Sequence, residues 1–196
     1  MVIVAAPPGG GKSNSIPVSR FGIAYFNAGD RAAVLNGGSY VDIPLEVRSQ
    51  VNREFEEFIR DHIEERVSFA LETTLRSSIT FEQASAARRA GFETEMHYVA
   101  FGSFDLHLKR VKTRGFKGGH SGPESVLRGI YDASLKNLPR AIQEMDLIEV
   151  YDNSAWGETA QTLLQAQYGE IVYLAETLPA AWLTTAYSHR RMSLKE

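Results

Sequence analysis

The chain has 196 residues, of which 43% are hydrophobic, and a formal net charge of −3 at pH 7. This length suffices for one domain with a full core and is short for two, so we expect a single domain over residues 1–196. The acidic balance argues against a nucleic-acid partner, and the absence of cysteine excludes disulfides and thiolate metal sites.

The first residues are apolar, but they reach Pro7-Pro8-Gly9 after a short run and carry no charged leader. We therefore interpret them as a first β-strand and not as a signal peptide. No apolar stretch approaches the roughly 18 residues that span a bilayer. We expect no membrane partner and take the cytoplasm as the default location.

A glycine-rich motif follows this strand. Residues 6–13 are A-P-P-G-G-G-K-S, which matches the nucleotide phosphate loop except that Ala6 replaces the first glycine of G-x-x-x-x-G-K-[ST]. Glycines let consecutive N–H groups point at phosphate oxygens without a Cβ clash, whereas an ordinary strand-to-helix turn is the alternative. The motif predicts that Lys12 reaches the β- and γ-phosphates of ATP and that the Ser13 hydroxyl binds Mg²⁺. The candidate nucleotide-binding residues here are Pro8, Gly9, Gly10, Gly11, Lys12, Ser13 and Asn14.

Short apolar runs alternate with helical patterns along the chain, which predicts an α/β fold with a parallel sheet flanked by helices. Apolar residues at three- and four-residue steps from Val47 to His62 predict an amphipathic covering helix. Thr80 is expected to cap the next helix, which ends at Gly91. The expected strands lie near residues 1–6, 22–27, 67–72, 94–101 and 147–151, with a weaker sixth near 170–174.

A third helix is predicted over residues 104–114, and a glycine-rich stretch with basic residues follows at 115–122, before a helix start at Pro123. Because this stretch is flexible and basic, we expect a mobile lid over the phosphate site. Arginines beside such a lid are candidates to stabilise charge on a transferring phosphoryl group. Three arginines flank it: Arg110, Arg114 and Arg128.

Polar side chains also follow the expected strands at their carboxyl ends, where ligands bind in open parallel sheets. Asp30 is either a general base for a substrate hydroxyl or only an acidic residue at a helix N-terminus. Residues 71–76, L-E-T-T-L-R, favour a solvated ligand cleft over a core, and residues 151–154 are candidates to border an adenine. The five histidines show no zinc spacing, so magnesium brought with the nucleotide is the one metal implied.

In this order the motifs resemble the zeta-toxin family of P-loop kinases over most of the chain. The resemblance implies a nucleoside-kinase-like fold and an ATP- and Mg²⁺-dependent kinase that phosphorylates a small-molecule hydroxyl, such as the 3′-hydroxyl of UDP-N-acetylglucosamine. It also implies a protein antitoxin as a partner. The matching segments are the phosphate loop and residues 25–28, 71–76, 110–114, 118–120 and 150–154.

The resemblance further implies roles for individual residues. Lys12 is expected to act in catalysis with Arg110 and Arg114 on the phosphates, and Arg128 is expected to meet the nucleotide. Asp30 remains the candidate base because of its place after the second strand, not because of the resemblance. The nucleotide is also expected to contact Asn153. The acceptor site is expected to include Asn27, Glu72, Thr74, Arg76 and His120.

One position leaves two interpretations of function open. The family usually carries Asn-x-Asp after the second strand, whereas this chain has Gly29 at the third place and Asp30 one residue later. Either Gly29 lets the loop turn Asp30 toward the acceptor, or the protein is a nucleotide-binding module with impaired catalysis that acts in regulation or partner binding. An NTPase that acts on nucleic acid is disfavoured by the acidic balance.

Overall fold

A computed structural model of the chain describes residues 1–115, 122–155, 159–176 and 183. Its strands form one seven-stranded sheet with the order β2-β3-β1-β4-β5-β6-β7. β1 to β5 pair in parallel, and β6 and β7 are added antiparallel. The strands are β1 Val2–Ala5, β2 Ala24–Phe26, β3 Phe69–Thr73, β4 Glu95–Ala100, β5 Leu147–Asp152, β6 Gln161–Gln167 and β7 Glu170–Leu174.

Six α-helices are present in the described residues, and all of them lie in the connections between the parallel strands β1 to β5. The first helix has a single turn because Ile16 precedes Pro17, and a proline disfavours the helical conformation of the residue before it. A 3-10 turn at Val18–Phe21 follows. The helices are α1 Lys12–Ser15, α2 Ala28–Leu35, α3 Leu45–Glu65, α4 Ile79–Arg89, α5 Phe104–Gly115 and α6 Glu124–Glu144.

The sheet is buried on both faces in its central strands, which explains the continuous apolar run of β1. Successive side chains of a strand point to opposite faces, so β1 contributes Ile3 to one face and Val4 to the other. The larger core packs strand residues Ile3, Leu71, Tyr98 and Val150 against Ile59, Phe81 and Leu138 of α3, α4 and α6. The smaller core packs Val4, Ala70 and Val99 against Ile16 and Val18.

The predicted α/β fold is confirmed, but the sheet is not wholly parallel. The predicted sixth strand at 170–174 is present as β7, and the strand before it, β6, was missed. Tyr168 and Gly169 join the two with φ values of 48° and 80°, the left-handed pair typical of a tight hairpin turn. The sequence signal for this hairpin is therefore a two-residue turn, Tyr168-Gly169, between two short strand-forming runs.

The predicted cap of the fourth helix is wrong. Ser78 is the N-cap residue and Thr80 lies inside α4, where it is buried and its hydroxyl is 3.2 Å from the hydroxyl of Thr73. Because Thr80 is buried in the first turn, its hydroxyl forms a hydrogen bond with a side chain of the neighbouring strand β3. A capping side chain would instead bond to the helix backbone. The predicted end is correct, because Gly91 follows the helix with φ +92°.

The other predicted helices are present. The pattern from Val47 to His62 lies within α3, and residues 104–114 lie within α5. Pro123 is the N-cap residue of α6. None of the helices in the described ranges is both long enough and apolar enough to cross a bilayer.

The parallel strands bring their carboxyl ends to one edge of the sheet, which we call the carboxyl edge. Across this edge the segments that follow β2, β3, β1, β4 and β5 lie side by side in that order. The segment after β1 is the phosphate loop, residues 6–13, so it occupies the middle of the edge. Ligand sites of open α/β sheets lie at such an edge.

Candidate nucleotide and acceptor site

The phosphate loop has a backbone that only glycine accommodates at several positions. Gly9 and Gly11 have φ values of +78° and +89°, in the left-handed region. A Cβ on Gly10 would lie 2.7 Å from the Ala6 Cβ and 2.9 Å from the carbonyl oxygen of Val99. Ala6 itself does not adopt a positive φ, so alanine is tolerated where the motif usually has glycine.

Asn153 supports the loop from the end of β5. Its side chain is buried, and its amide nitrogen donates to the carbonyl oxygen of Gly10 at 3.4 Å. A Cβ on Gly11 would overlap the same amide. The structure thus places Asn153 beneath the loop, and a contact between Asn153 and an adenine stays a prediction.

Arg110 brings a positive charge from α5 to the loop. Its guanidinium carbon lies 3.9 Å from the ring centroid of Phe101, and its Nη2 donates to the backbone oxygen of Asn153 at 3.3 Å. A Cβ on Gly11 would lie 3.3 Å from Nη1. Burial lowers the pKa of Arg110 from its ordinary value, but a guanidinium remains charged in proteins.

Lys12 and Ser13 open α1 directly after the glycines. The Lys12 ammonium lies 3.5 Å from the carbonyl oxygen of Ala6, so the side chain folds back along the loop. The Ser13 side chain is exposed. Lys12 and Arg110 therefore bring two cations to one loop, which is the charge that a polyphosphate requires.

The Ser13 hydroxyl fits the role of a magnesium ligand. Magnesium prefers oxygen ligands and usually takes one or two from the protein, with the rest from substrate phosphates and water. Among the described residues, no group of three or more histidines, cysteines or acids is placed to hold a metal ion. An exposed hydroxyl beside a phosphate site is consistent with an ion that arrives with its nucleotide.

The predicted acceptor segment at the end of β3 adjoins the loop, because the Ala6 N–H donates to the Thr73 carbonyl at 3.2 Å. Leu75 is fully buried and has φ +55°, which is costly for a large side chain. Two side chains hold it: the Thr73 hydroxyl accepts from the Leu75 N–H at 3.1 Å, and the Asn137 amide donates to the Leu75 carbonyl at 2.9 Å. Thr74 and Arg76 flank this anchored residue.

The segment after β2 begins α2, and Asn27 is its N-cap. The Asn27 side-chain oxygen accepts from the N–H groups of Gly29 at 3.0 Å and Asp30 at 3.2 Å. Asp30 is exposed in the first turn of the helix, and its carboxylate accepts from the Tyr40 hydroxyl at 2.9 Å. Asn27 therefore shapes the backbone that presents Asp30, and its contact with a substrate stays a prediction.

An ion pair links α2 to α3. Arg31 donates to both carboxylate oxygens of Glu54 on α3, with Nε–Oε2 at 2.5 Å and Nη2–Oε1 at 3.0 Å. Hydrogen bonds from Arg31 and Gln50 lower the pKa of the Glu54 carboxyl to about 2. Because Arg31 follows Asp30 directly, the same pair helps to set where the first turn of α2 points.

The structure brings most of the predicted site residues to the carboxyl edge, but at different distances from the loop. Lys12, Arg110 and Asn153 meet at the loop itself, and Glu72 is the last residue but one of the neighbouring strand β3. Asn27 and Asp30 follow β2, two strands from β1. Arg128 is exposed on α6, with its guanidinium carbon 3.9 Å from the ring centroid of Phe104. The Arg114 side chain, His120 and residues 116–121 of the lid predicted at 115–122 lie outside the described residues.

Sequence reasoning missed several residues that shape this edge. His107 was set aside because the histidines lack zinc spacing, although it lies between Phe104 and Val111 on the apolar side of α5. An isolated histidine at such a position was the available signal. No signal in the sequence pointed to Tyr40 or Asn137. Leu75 lies within the predicted segment 71–76, but nothing in the sequence indicated its left-handed backbone.

No family model matches the chain. A search of curated proteins finds an uncharacterised protein from Haemophilus influenzae that is 26% identical over 69 residues, which is 35% of this chain and 49% of that protein. This segment is too short and too divergent to assign a family.

Solved structures give a broader likeness. A chain of the AvrRxo1-ORF1:ORF2 complex with ATP is 16% identical with a TM-score of 0.68, over 94% of this chain and 62% of that chain. A chain of the PezAT chromosomal toxin–antitoxin system of Streptococcus pneumoniae is 13% identical with a TM-score of 0.57, over 100% and 88%. A putative kinase from Chloroflexus aurantiacus is 15% identical with a TM-score of 0.52, over 66% and 77%.

These likenesses confirm the predicted fold, an α/β sheet flanked by helices that the chain shares with these solved structures. The chain spans only 62% of the AvrRxo1 complex chain and 49% of the Haemophilus protein. At these identities the comparison shows the fold alone.

Proposed function

We propose that the protein is an ATP- and Mg²⁺-dependent phosphotransferase that phosphorylates a hydroxyl group of a small molecule. The observation that carries the proposal is a phosphate loop with two left-handed glycines on which the cations of Lys12 and Arg110 converge. The presence of ATP in the crystal of the similar AvrRxo1 complex supports the choice of nucleotide.

The residues at the loop supply binding and charge neutralisation. The N–H groups of Gly9 and Gly11 bind phosphate oxygens. Lys12 neutralises the β- and γ-phosphates, and Arg110 stabilises charge on the γ-phosphoryl group as it transfers. The Ser13 hydroxyl would hold Mg²⁺, which when bound adds charge neutralisation between the same phosphates. The loop is preformed, so little reorganisation opposes catalysis.

The acceptor lies, in this proposal, against the segments after β2 and β3. As the acceptor oxygen forms its bond to the γ-phosphorus, the bond from that phosphorus to the bridging oxygen of ADP breaks and Asp30 takes the acceptor proton. Glu72, Thr74 and Arg76 provide hydrogen-bonding groups for the acceptor. The resemblance to zeta toxins favours a nucleotide sugar, with UDP-N-acetylglucosamine the first to test, and a protein antitoxin as partner.

A product assay tests the proposal. The protein is incubated with ATP, Mg²⁺ and a panel of UDP-sugars, nucleosides and aminoglycoside-like alcohols, and products heavier by one phosphate are sought by mass spectrometry. We expect a product whose formation is lost, together with ATP affinity, in Lys12→Ala. Lys136→Ala, which removes an exposed lysine of α6, is the matched control and should behave like the wild type. Equal ATP affinity in Lys12→Ala would contradict the assigned site.

One observation favours a second candidate, a nucleotide-binding module with impaired catalysis. Asp30 sits one residue later than the usual base, and its carboxylate is already bonded to Tyr40. In that case a hundredfold excess of ATP over its Kd would stabilise the fold by about 2.7 kcal/mol without any product from the panel. Steady turnover that depends on Lys12 would exclude this candidate.

A further inference from the structure

His107 is the one histidine that touches the phosphate loop among the described residues. It lies in α5 with 1% of its surface exposed, and its ring packs edge-on against Phe101 and Tyr131 at centroid distances of 4.7 and 5.0 Å. A Cβ on Gly9 would lie 2.6 Å from the His107 carbonyl oxygen. The turn of α5 that carries His107 is therefore the surface on which the loop rests.

The partners of the ring determine its tautomer. The Phe101 N–H donates to Nε2 at 3.1 Å, and a backbone N–H can only donate, so Nε2 carries no proton. Nδ1 then carries the proton and donates to the carbonyl oxygen of Pro8 at 3.0 Å. Burial, with smaller contributions from the charges of Arg110 and Lys12, lowers the pKa of His107 to about 4, so the ring is neutral at pH 7.

The bond to Pro8 orients the next N–H group of the loop. A trans peptide is planar, so the Pro8 carbonyl and the Gly9 N–H point in opposite directions. With the carbonyl held on α5, the Gly9 N–H points away from α5. Asn153 holds the Gly10 carbonyl and turns the Gly11 N–H in the same manner. Within the described residues, neither of these two N–H groups donates to another group of the protein.

We propose that His107 is a positioning residue of the nucleotide site: its Nδ1–H holds the Pro8 carbonyl so that the Gly9 N–H faces the nucleotide phosphates. The inference rests on the proposed nucleotide binding, and it concerns a residue that neither the motifs nor the resemblance assigned. His107 touches no phosphate itself. Its effect passes through the peptide group between Pro8 and Gly9. The preceding peptide group, between Pro7 and Pro8, has no N–H because residue 8 is proline.

Two amide variants separate the two hydrogen bonds of the ring. In His107→Asn the amide nitrogen takes the place of Nδ1 and keeps the donor to Pro8, but the acceptor for Phe101 is lost. In His107→Gln the amide oxygen reaches the place of Nε2 and keeps that acceptor, but the donor to Pro8 is lost. Both side chains are neutral and polar, and each loses one hydrogen bond, so their effects on the free energy of unfolding should be similar.

The measurement is the Kd of ATP with Mg²⁺ by calorimetry, beside the free energy of unfolding in urea. We expect the Kd to rise about tenfold or more in His107→Gln and to stay within about threefold of wild type in His107→Asn. Equal Kd values in the two variants, or a wild-type Kd in a folded His107→Gln, would overturn the inference. If the wild type does not bind ATP, its affinity would equal that of Lys12→Ala. That result would overturn the proposed function and not only the role of His107.

A second measurement keeps the inference testable if neither variant folds. The ring nitrogens of His107 in the wild type are observed by 15N NMR at pH 7, with and without ATP. We expect the Nδ1–H tautomer in both states and a shift of the Gly9 amide signal when ATP binds. A ring protonated at Nε2, or a Gly9 amide that ATP leaves unchanged, would contradict the proposal.

Discussion

Asp30 is the residue on which the proposed chemistry depends. It lies in the first turn of α2, presented by the Asn27 cap and held by the Tyr40 hydroxyl at 2.9 Å. A hydroxyl donor to one carboxylate oxygen orients the group and leaves lone pairs on both oxygens for a substrate proton. The position is thus compatible with a base, although it is equally that of an acid that stabilises a helix N-terminus.

The substitution Asp30→Asn separates these two roles. If Asp30 is the base, turnover should fall by about 10²-fold or more while the Kd of ATP stays near the wild-type value, because the amide cannot accept the proton. The assay is the phosphorylated product formed per unit time from the acceptor found in the panel. Asp42→Asn, an exposed acid in the neighbouring loop, is the control and should retain turnover. Unchanged turnover in Asp30→Asn would show that Asp30 is not the base and that it only stabilises the N-terminus of α2.

His107 also links stability to pH. Its pKa falls from an ordinary 6.5 to about 4 in the folded protein, because burial disfavours the charged ring and the cations of Arg110 and Lys12 add to this, with Tyr131 uncharged beside it. As the pH falls below 6.5, the unfolded chain takes up the proton first, so stability is lost between about pH 6.5 and pH 4. Above pH 6.5 His107 is neutral in both states. The free energy of unfolding there exceeds its value below pH 4 by at most about 3 kcal/mol on account of this group.

The check is the free energy of unfolding in urea, measured from pH 7.5 down to pH 4.5. Wild type should lose more stability over this range than His107→Gln, which carries no titrating ring. Carboxylates titrate in both proteins and cancel in the difference. Parallel curves for the two proteins would show that His107 titrates alike in the folded and unfolded states.

At the scale of elements, α1 is too short to supply much positive potential to the phosphate loop. The start of a helix carries a positive partial charge, but α1 has four residues and a single turn before Pro17. The positive potential at the phosphate loop therefore depends on Lys12 and on Arg110 from α5. The phosphate loop follows β1, and residues from α5 and from the end of β5 complete its surroundings.

The segment after β3 is held by α6, which gives an element-scale prediction. Asn137→Ala removes the donor to the Leu75 carbonyl and leaves that oxygen without it beside a left-handed, buried leucine. We expect a loss of about 1–3 kcal/mol in the free energy of unfolding. Asn137→Asp keeps the shape without the donor and should lose at least as much.

Denaturant unfolding of the two variants and of Lys136→Ala, the adjacent exposed residue, provides the measurement. Lys136→Ala should stay within about 0.5 kcal/mol of wild type. If Asn137→Ala also matched wild type, the contact with Leu75 would not be what holds the strained segment. In that case the Thr73 hydroxyl and the buried Leu75 side chain would hold its backbone.

At the scale of the whole molecule, the sheet order explains how distant segments meet. β1 lies between β3 and β4, so the phosphate loop has the predicted acceptor segment after β3 on one side and its supports from α5 and β5 on the other. β6 and β7 extend the sheet beyond β5, away from the acceptor side, and widen the larger core. In the proposed site, the strand order itself therefore separates the nucleotide side from the acceptor side.

The sequence by itself determined the phosphate loop and the strands of the parallel sheet. Both are local: the left-handed backbone of Gly9 and Gly11 requires glycine, and a strand buried on two faces requires a continuous apolar run. The covering helix α3 follows for the same reason, since a helix of period 3.6 shows its buried face in its own residues. Composition and spacing suffice wherever the constraint lies within one element.

Only the tertiary structure decided which side chains hold these elements in place. His107 and Pro8 are 99 positions apart, and Asn137 and Leu75 are 62 apart, so no local pattern records either pair. Packing removes each of these polar side chains from water. Each then needs a hydrogen-bond partner, because an unpaired buried donor or acceptor is costly. Which partner it found depends on strand order and helix packing, and those are properties of the folded chain as a whole.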